Sequence, residues 1–259
     1  MTASAPPLRV AYIEHCTPCW PDVALRLREE MGWEPVYWVG PPAVAKMVLP
    51  LFPEVIFHSR YDANHLVSPP QLAHVMPEPL DDPYLRATAD AQLVAMKMLD
   101  VFDSLDAFTF DERARFVRQR LRYWKSVVLA LRLDIVLFPF SPHTVYDYLI
   151  LEICRLAGIR TVMFENCYPI DFATFFTIDS PQAGSIELQA ALDSGADDSA
   201  PVPPLFEAYL QRARGEYHTA IPWYMQDQFD TSSTDLAKQV FASGTRSKRG
   251  DGRRRWWSW

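Results

Sequence analysis

The chain has 259 residues, 49% hydrophobic and 22% charged, with a formal net charge of −7. That length and apolar content can bury a core, which excludes a disordered polar chain, and the acidic balance excludes a surface that binds nucleic acid as a whole. Nine glycines against 22 prolines, with neither G-x-G-x-x-G nor G-x-x-x-x-G-K-[ST], exclude a glycine-rich phosphate loop. Met1 to Pro7 lacks the basic start and apolar run of a secretory signal, and no stretch is long enough to span a membrane. The expectation is a soluble cytoplasmic protein whose four cysteines are free thiols.

Arg9 to Ile13 is a short β-prone run that stops at Glu14-His15. Pro21 to Met31 follows as a helix, with Pro21 in its first turn, Val23, Leu27 and Met31 on one face, and Gly32 at its end. Val36 to Val39 and Val55 to His58 are the next strands. Residues 60–85, with Pro69, Pro70, Pro77, Pro79 and Pro83, read as a long irregular connection.

Ala87 to Asp103 reads as a helix, and Asp111 to Arg132 as a longer one. Phe110, Ala114, Val117, Leu121, Trp124, Val128 and Leu131 recur in steps of four and three, which is one apolar stripe. Leu133 to Phe140 is apolar on both faces, as a central parallel strand is. Ser141-Pro142-His143 makes a tight loop, Thr144 caps a helix to Ala157, Gly158 ends it, and Ile159 to Phe164 is the next strand, reaching Glu165-Asn166. This strand–helix–strand unit predicts an α/β fold, a Rossmann-like open parallel sheet flanked by helices. Residues 1–180 form that domain in this reading. Residues 181–243 are a linker with helices, including Pro204 to Arg214, and an incomplete second domain. Residues 244–259 form a disordered basic, Trp-rich tail, read also as a truncated or frame-shifted end.

Ligands of open parallel sheets sit beyond the carboxyl ends of the strands. The polar residues there are Glu14 and His15, Ser59 and Asp62, Ser141 and His143, and Glu165 and Asn166. Two histidines and two carboxylates on one edge suit acid–base work on a hydroxyl, with His15 as base and Glu14 orienting its ring; the plain alternative is polar loops. His143 either meets an anion at a helix start or only closes the turn, and Asp147 is read as complementing the helix dipole. Cys16-Thr17-Pro18-Cys19, between a strand and a helix, is the setting of a thiol oxidoreductase, since a helix end lowers a thiol pKa. Cys154 and Cys167 form no second C-x-x-C, so a zinc site lacks support. Arg113, Arg115, Arg118, Arg120, Arg122 and Lys125 line the polar faces of helix 111–132, either solvated or facing a phosphate-bearing substrate or an anionic membrane.

Several of these segments together carry a resemblance. They are Arg122-Tyr123-Trp124, the strand Leu133 to Phe138, the Pro142-His143 step, Tyr146-Asp147-Tyr148, Leu156-Ala157-Gly158-Ile159, Thr161 to Glu165 and the aromatic run Phe172 to Phe176. From about residue 8 to 180 the chain resembles the amino-terminal half of GT-B glycosyltransferases of capsular-polysaccharide and surface-carbohydrate biosynthesis. The resemblance implies two Rossmann-like domains facing a cleft, with the glycan acceptor on the amino-terminal one and the nucleotide-sugar donor on the other. It implies no metal and no cofactor beyond the nucleotide-sugar co-substrate. It carries the catalytic base over to His15 and Glu14, and substrate binding to Ser141, His143, Tyr146, Glu165 and Asn166. About 80 residues follow Asp179, fewer than a second domain of equal size needs. The expectation is therefore a fragment, a partner that supplies the second domain, or a non-catalytic half that binds a glycan or a partner.

Overall fold

The computed structural model describes residues 6–102, 108–166, 175–178, 186–195, 201 and 204–215. The chain divides into two compact units, Met1–Tyr168 with Phe172–Asp197, and Pro169–Asp171 with Asp198–Trp259. The expected tail 244–259 lies outside the described residues.

The first unit is an α/β Rossmann-like fold around a six-stranded sheet. Strand β1 (Leu8–Tyr12) leads into α1 (Trp20–Met31), which Gly32 ends in the left-handed conformation at φ 66°. Strand β2 (Trp33–Gly40), helix α2 (Pro42–Leu51) and strand β3 (Ile56–Ser59) follow. The connection read as irregular holds α3 (Arg60–His65), a 3₁₀ turn at Pro70–Leu72 and α4 (Asp82–Ala87). Each is six residues or shorter, too short for a periodic stripe to reveal it.

Two helices pack next, α5 (Ala89–Phe102) and α6 (Phe110–Leu131). A reciprocal cap starts α6: Glu112 N–H donates to Thr109 Oγ1, and Thr109 N–H to Glu112 Oε2. Strand β4 (Ile135–Phe138), helix α7 (Val145–Leu156), strand β5 (Arg160–Asn166) and strand β6 (Phe175–Ile178) complete the sheet, before α8 (Ile186–Asp193). The expected helix over 204–214 is α9 (Pro204–Arg214), in the second unit.

The strand order is β3-β2-β1-β4-β5-β6. Neighbours are parallel except β6, which runs antiparallel to β5. The β1–β2 register slips between Val10 and Ala11, opposite Pro35, which has no N–H for the ladder. Side chains alternate between faces. Ala11, Ile13, Val39, Val136 and Phe138 pack on one face with α5, α6 and α7; Val10, Tyr12, Trp38, Ile135 and Leu137 pack on the other with α1 and α2. The sheet is thus a middle layer between two helical layers.

Candidate functional site

The strand order reverses between β1 and β4, so the chain leaves these adjacent strands in opposite directions and opens a crevice beyond their carboxyl ends. The loops after β1 and β4 flank it, and α1 and α7 start from them. At this point Glu14 takes φ 62°, a left-handed conformation that costs a non-glycine residue about 1–3 kcal/mol and marks sites held by their surroundings.

Glu14 is 4% exposed. Its Oε2 pairs with Nη2 of Arg60, the first residue of α3, and its Oε1 is buried without a hydrogen-bond partner. Burial alone would lower the half-exposed Arg60 guanidinium; the hydrogen bond and charge of Glu14, with smaller pulls from Cys16 and Asp147, leave it raised. Cys16 Sγ donates to the Glu14 carbonyl at 3.0 Å, and Arg60 Nη2 donates to Sγ at 3.0 Å.

Across the crevice, Asp147 in the first turn of α7 is fully buried. It accepts from Thr144 N–H at 2.8 Å and, at a long 3.4 Å, from His143 N–H. Burial pushes its carboxyl up to about 6 despite the Thr144 bond and the His143 charge, and the charge of Glu14 adds to the rise. Two buried carboxylates with one guanidinium between their fields form the electrostatic centre of the rim. Ser141 N–H and Oγ both donate to Glu165 Oε2 at 3.1 Å, tying the β4 loop to β5. His143 is exposed, with Nδ1 3.4 Å from the Ser141 carbonyl and its ring 4.8 Å from Phe140.

Other expected site residues lie elsewhere. His15 is 0% exposed, enclosed by Tyr12, Trp20 and Trp38 with ring centroids 5.2, 4.1 and 5.9 Å away. Neither ring nitrogen has a hydrogen-bond partner, although the Ile13 carbonyl is close enough to be felt. Burial drives its pKa down to about 3, so the imidazole is neutral and a weak base. The expected exposure of His15 is therefore corrected: the turn at Glu14 sends the next side chain inward among the aromatic rings. Gly40 belongs to the same arrangement, because a Cβ there would sit 3.1 Å from the His15 carbonyl oxygen.

Tyr146 is likewise corrected. It is buried in the core, stacked on Trp124 at 5.6 Å, with an unpartnered hydroxyl. Asn166 ends β5 and its side chain lies outside the described residues. Ser59 and Asp62 cap α3, with Asp62 N–H donating to Ser59 Oγ and that hydroxyl to Asp62 Oδ2.

The surroundings of Cys16 do not favour the thiol oxidoreductase alternative. Burial, then the Glu14 charge, pushes its thiol up to about 12, against the weaker pull of Arg60, whereas a redox nucleophile needs a lowered pKa. Cys19 is a free exposed thiol, and Cys167 lies outside the described residues.

Sequence reasoning missed Arg60 and His58. Arg60 follows the end of β3, the signal that had singled out its neighbours Ser59 and Asp62. His58 is a clamp: its Nδ1 accepts from Tyr37 O–H at 2.6 Å, which leaves Nε2–H to donate to the Val67 carbonyl at 2.9 Å. Burial lowers its pKa and keeps it neutral. It ties the connection after α3 to the sheet.

Among the described residues no group of three or more His, Cys, Asp or Glu side chains could hold a metal ion, and no helix is long and apolar enough to cross a membrane. A groove of about 770 Å³ runs along α6 and shares no residue with this rim. No protein-family model, curated protein or solved structure matches the chain.

Proposed function

We propose that the β1/β4 rim is the acceptor site of a glycosyltransferase of surface-polysaccharide assembly, with Glu14 as the base. The observation that carries this reading is Glu14 itself: a buried carboxylate on a left-handed turn at the switch point, one oxygen paired to Arg60 and the other unpartnered. An acceptor hydroxyl donating to Oε1 supplies the missing partner. In the reaction, that hydroxyl passes its proton to Glu14. Its oxygen attacks the anomeric carbon of a nucleotide-activated sugar, and the bond to the nucleoside diphosphate breaks with its electron pair leaving on the diphosphate.

Arg60 pairs with Oε2 and so fixes the Glu14 carboxylate in place, and Asp147 with its raised pKa is the neighbouring group able to exchange a proton near neutrality. His143, Ser141 and Glu165 form the outer ledge on which a glycan rests. His15 supports the turn from below rather than touching substrate. The resemblance assigns the donor to a second Rossmann-like half, with no cofactor besides the nucleotide-sugar, and a cytoplasmic location goes with this reading.

The test is release of nucleoside diphosphate from a panel of nucleotide-activated hexoses by the full chain, with glycan acceptors present. E14Q keeps the shape and removes the base, so turnover falls by about 100-fold or more while near-ultraviolet circular dichroism is unchanged. Undiminished turnover in E14Q removes Glu14 as base. No release from any donor in the panel removes the transferase reading.

A further inference from the structure

The groove along α6 pairs an apolar floor with a cationic rim. Leu80, Leu85 and Phe110 form the apolar part, and Arg115, Arg118 and Arg122 the rim. Asp111 is the single acidic residue in the lining. No ion pair among the described residues involves these three arginines. Their spacing of three and four residues sets them in one row along the helix. Phe110 stands 68% exposed where the helix begins, and Phe108 beside it is also exposed.

The groove wall is fixed rather than adaptable. The Pro77–Pro79 segment is held to α6 by Arg122 Nε donating to the Glu78 carbonyl (3.3 Å) and Lys125 Nζ to the Pro79 carbonyl (2.8 Å). Glu78 N–H donates to Ser126 Oγ at 2.6 Å. Lys125 also lies over the Tyr84 ring at 4.3 Å. This groove on a chain of net charge −7 is therefore a preformed local exception in both charge and polarity.

We infer that this groove docks the protein on an anionic phospholipid surface. The occupant follows from charge complementarity. Guanidinium forks match phosphate oxygens, while an exposed phenylalanine beside them suits the boundary between headgroups and acyl chains. A lipid phosphate sits between Arg115 and Arg118, and the start of its acyl chains covers Leu80, Leu85 and Phe110. The overall negative charge repels the rest of the chain from such a surface, so the groove sets the orientation of approach. The inference stands apart from the sugar-transfer reading.

The experiment is vesicle co-sedimentation of the full chain, with phosphatidylcholine alone or with roughly one part in three phosphatidylglycerol. All samples carry R253Q/R254Q/R255Q, so that the basic end of the sequence does not mask the groove. The expected result is partition onto the anionic vesicles only. R115Q/R118Q should weaken it by about 25-fold, at about a factor of five per arginine near an anionic surface. F110A, at an exposed position that unfolding does not threaten, should weaken it by several-fold. Absence of partition by the parent, or equal partition by parent and R115Q/R118Q, overturns the inference. So does binding of a polyglutamate peptide at the groove without vesicle binding, which would point to an acidic protein partner.

Discussion

His15 carries two ring nitrogens that meet neither solvent nor a hydrogen-bond partner, and this makes it a liability as the pH falls. The unfolded chain takes up a proton on this histidine near pH 6.5, and the folded chain resists until about 3. Stability from this residue is therefore complete at neutral pH and is lost from pH 6.5 downward, by up to about 5 kcal/mol at pH 3. Asp147 acts in the opposite sense. Its folded pKa of about 6 lies above the ordinary 3.8, so the folded state binds the proton first and stability rises as the pH falls through that window. The two effects oppose each other between about pH 6 and 4, and below that only the His15 loss continues. H15L removes one of them. Relative to the parent it should gain about 2 kcal/mol between pH 7 and pH 5, read from urea unfolding at both values. Parallel pH profiles for parent and variant would show that His15 is not held neutral. Glu14, Ser141, His143 and Glu165 stand at or just past the ends of β1, β4 and β5, although the Glu14 side chain is buried. That placement was legible because parallel strands all end on the same side. His15 was not legible, because one left-handed residue before it reverses the alternation.

Among the elements, α6 was the plainest in the sequence. Of its expected stripe, Val117, Leu121, Trp124, Val128 and Leu131 are buried to 3% exposure or less, whereas Ala114 is half-buried and Phe110 stands 68% exposed; Arg120, expected on the polar face, is buried at 5%. A periodic stripe over 22 residues survives any error in its ends. Leu121 is wholly enclosed against the sheet, so L121A should cost about 3 kcal/mol, the lost transfer plus the cavity left behind. The urea midpoint should fall with an unchanged denaturant slope. A loss below about 1 kcal/mol would mean that the site collapses around the gap. Helix α2 escaped the sequence because Pro41, Pro42 and Pro50 look like breakers. Pro42 instead sits in the first turn, where no backbone N–H is needed, and Pro50 in the last. Strand β6 escaped too: Phe175 and Phe176 read only as an aromatic run, and four residues gain strand character from pairing with β5.

At the scale of the whole molecule, the sheet is covered on both faces, and its strands differ in what surrounds them. Strands β1 and β4 each have a parallel neighbour on both sides, whereas β3 and β6 close the sheet among the described residues. Amide exchange should therefore be slowest in Val10 to Tyr12 and Ile135 to Phe138, and faster in Ile56 to Ser59 and Phe175 to Ile178. Edge strands as protected as the centre would mean that they are covered by something beyond this sheet. The same order places the crevice, since only a reversal of strand order lets two adjacent loops part.

The sequence by itself determined the α/β class, the sheet's apolar strands and the long helices, because those follow from periodicities carried by neighbouring residues. It also determined which polar residues stand at strand ends. Only the tertiary structure decided that Arg60 meets Glu14 across 46 residues of chain, that His15 and Tyr146 turn into the core, and that the Cys16 thiol is held protonated. These depend on strand order, on one backbone angle at Glu14 and on the enclosure of charge, and such quantities exist only once distant segments have come together.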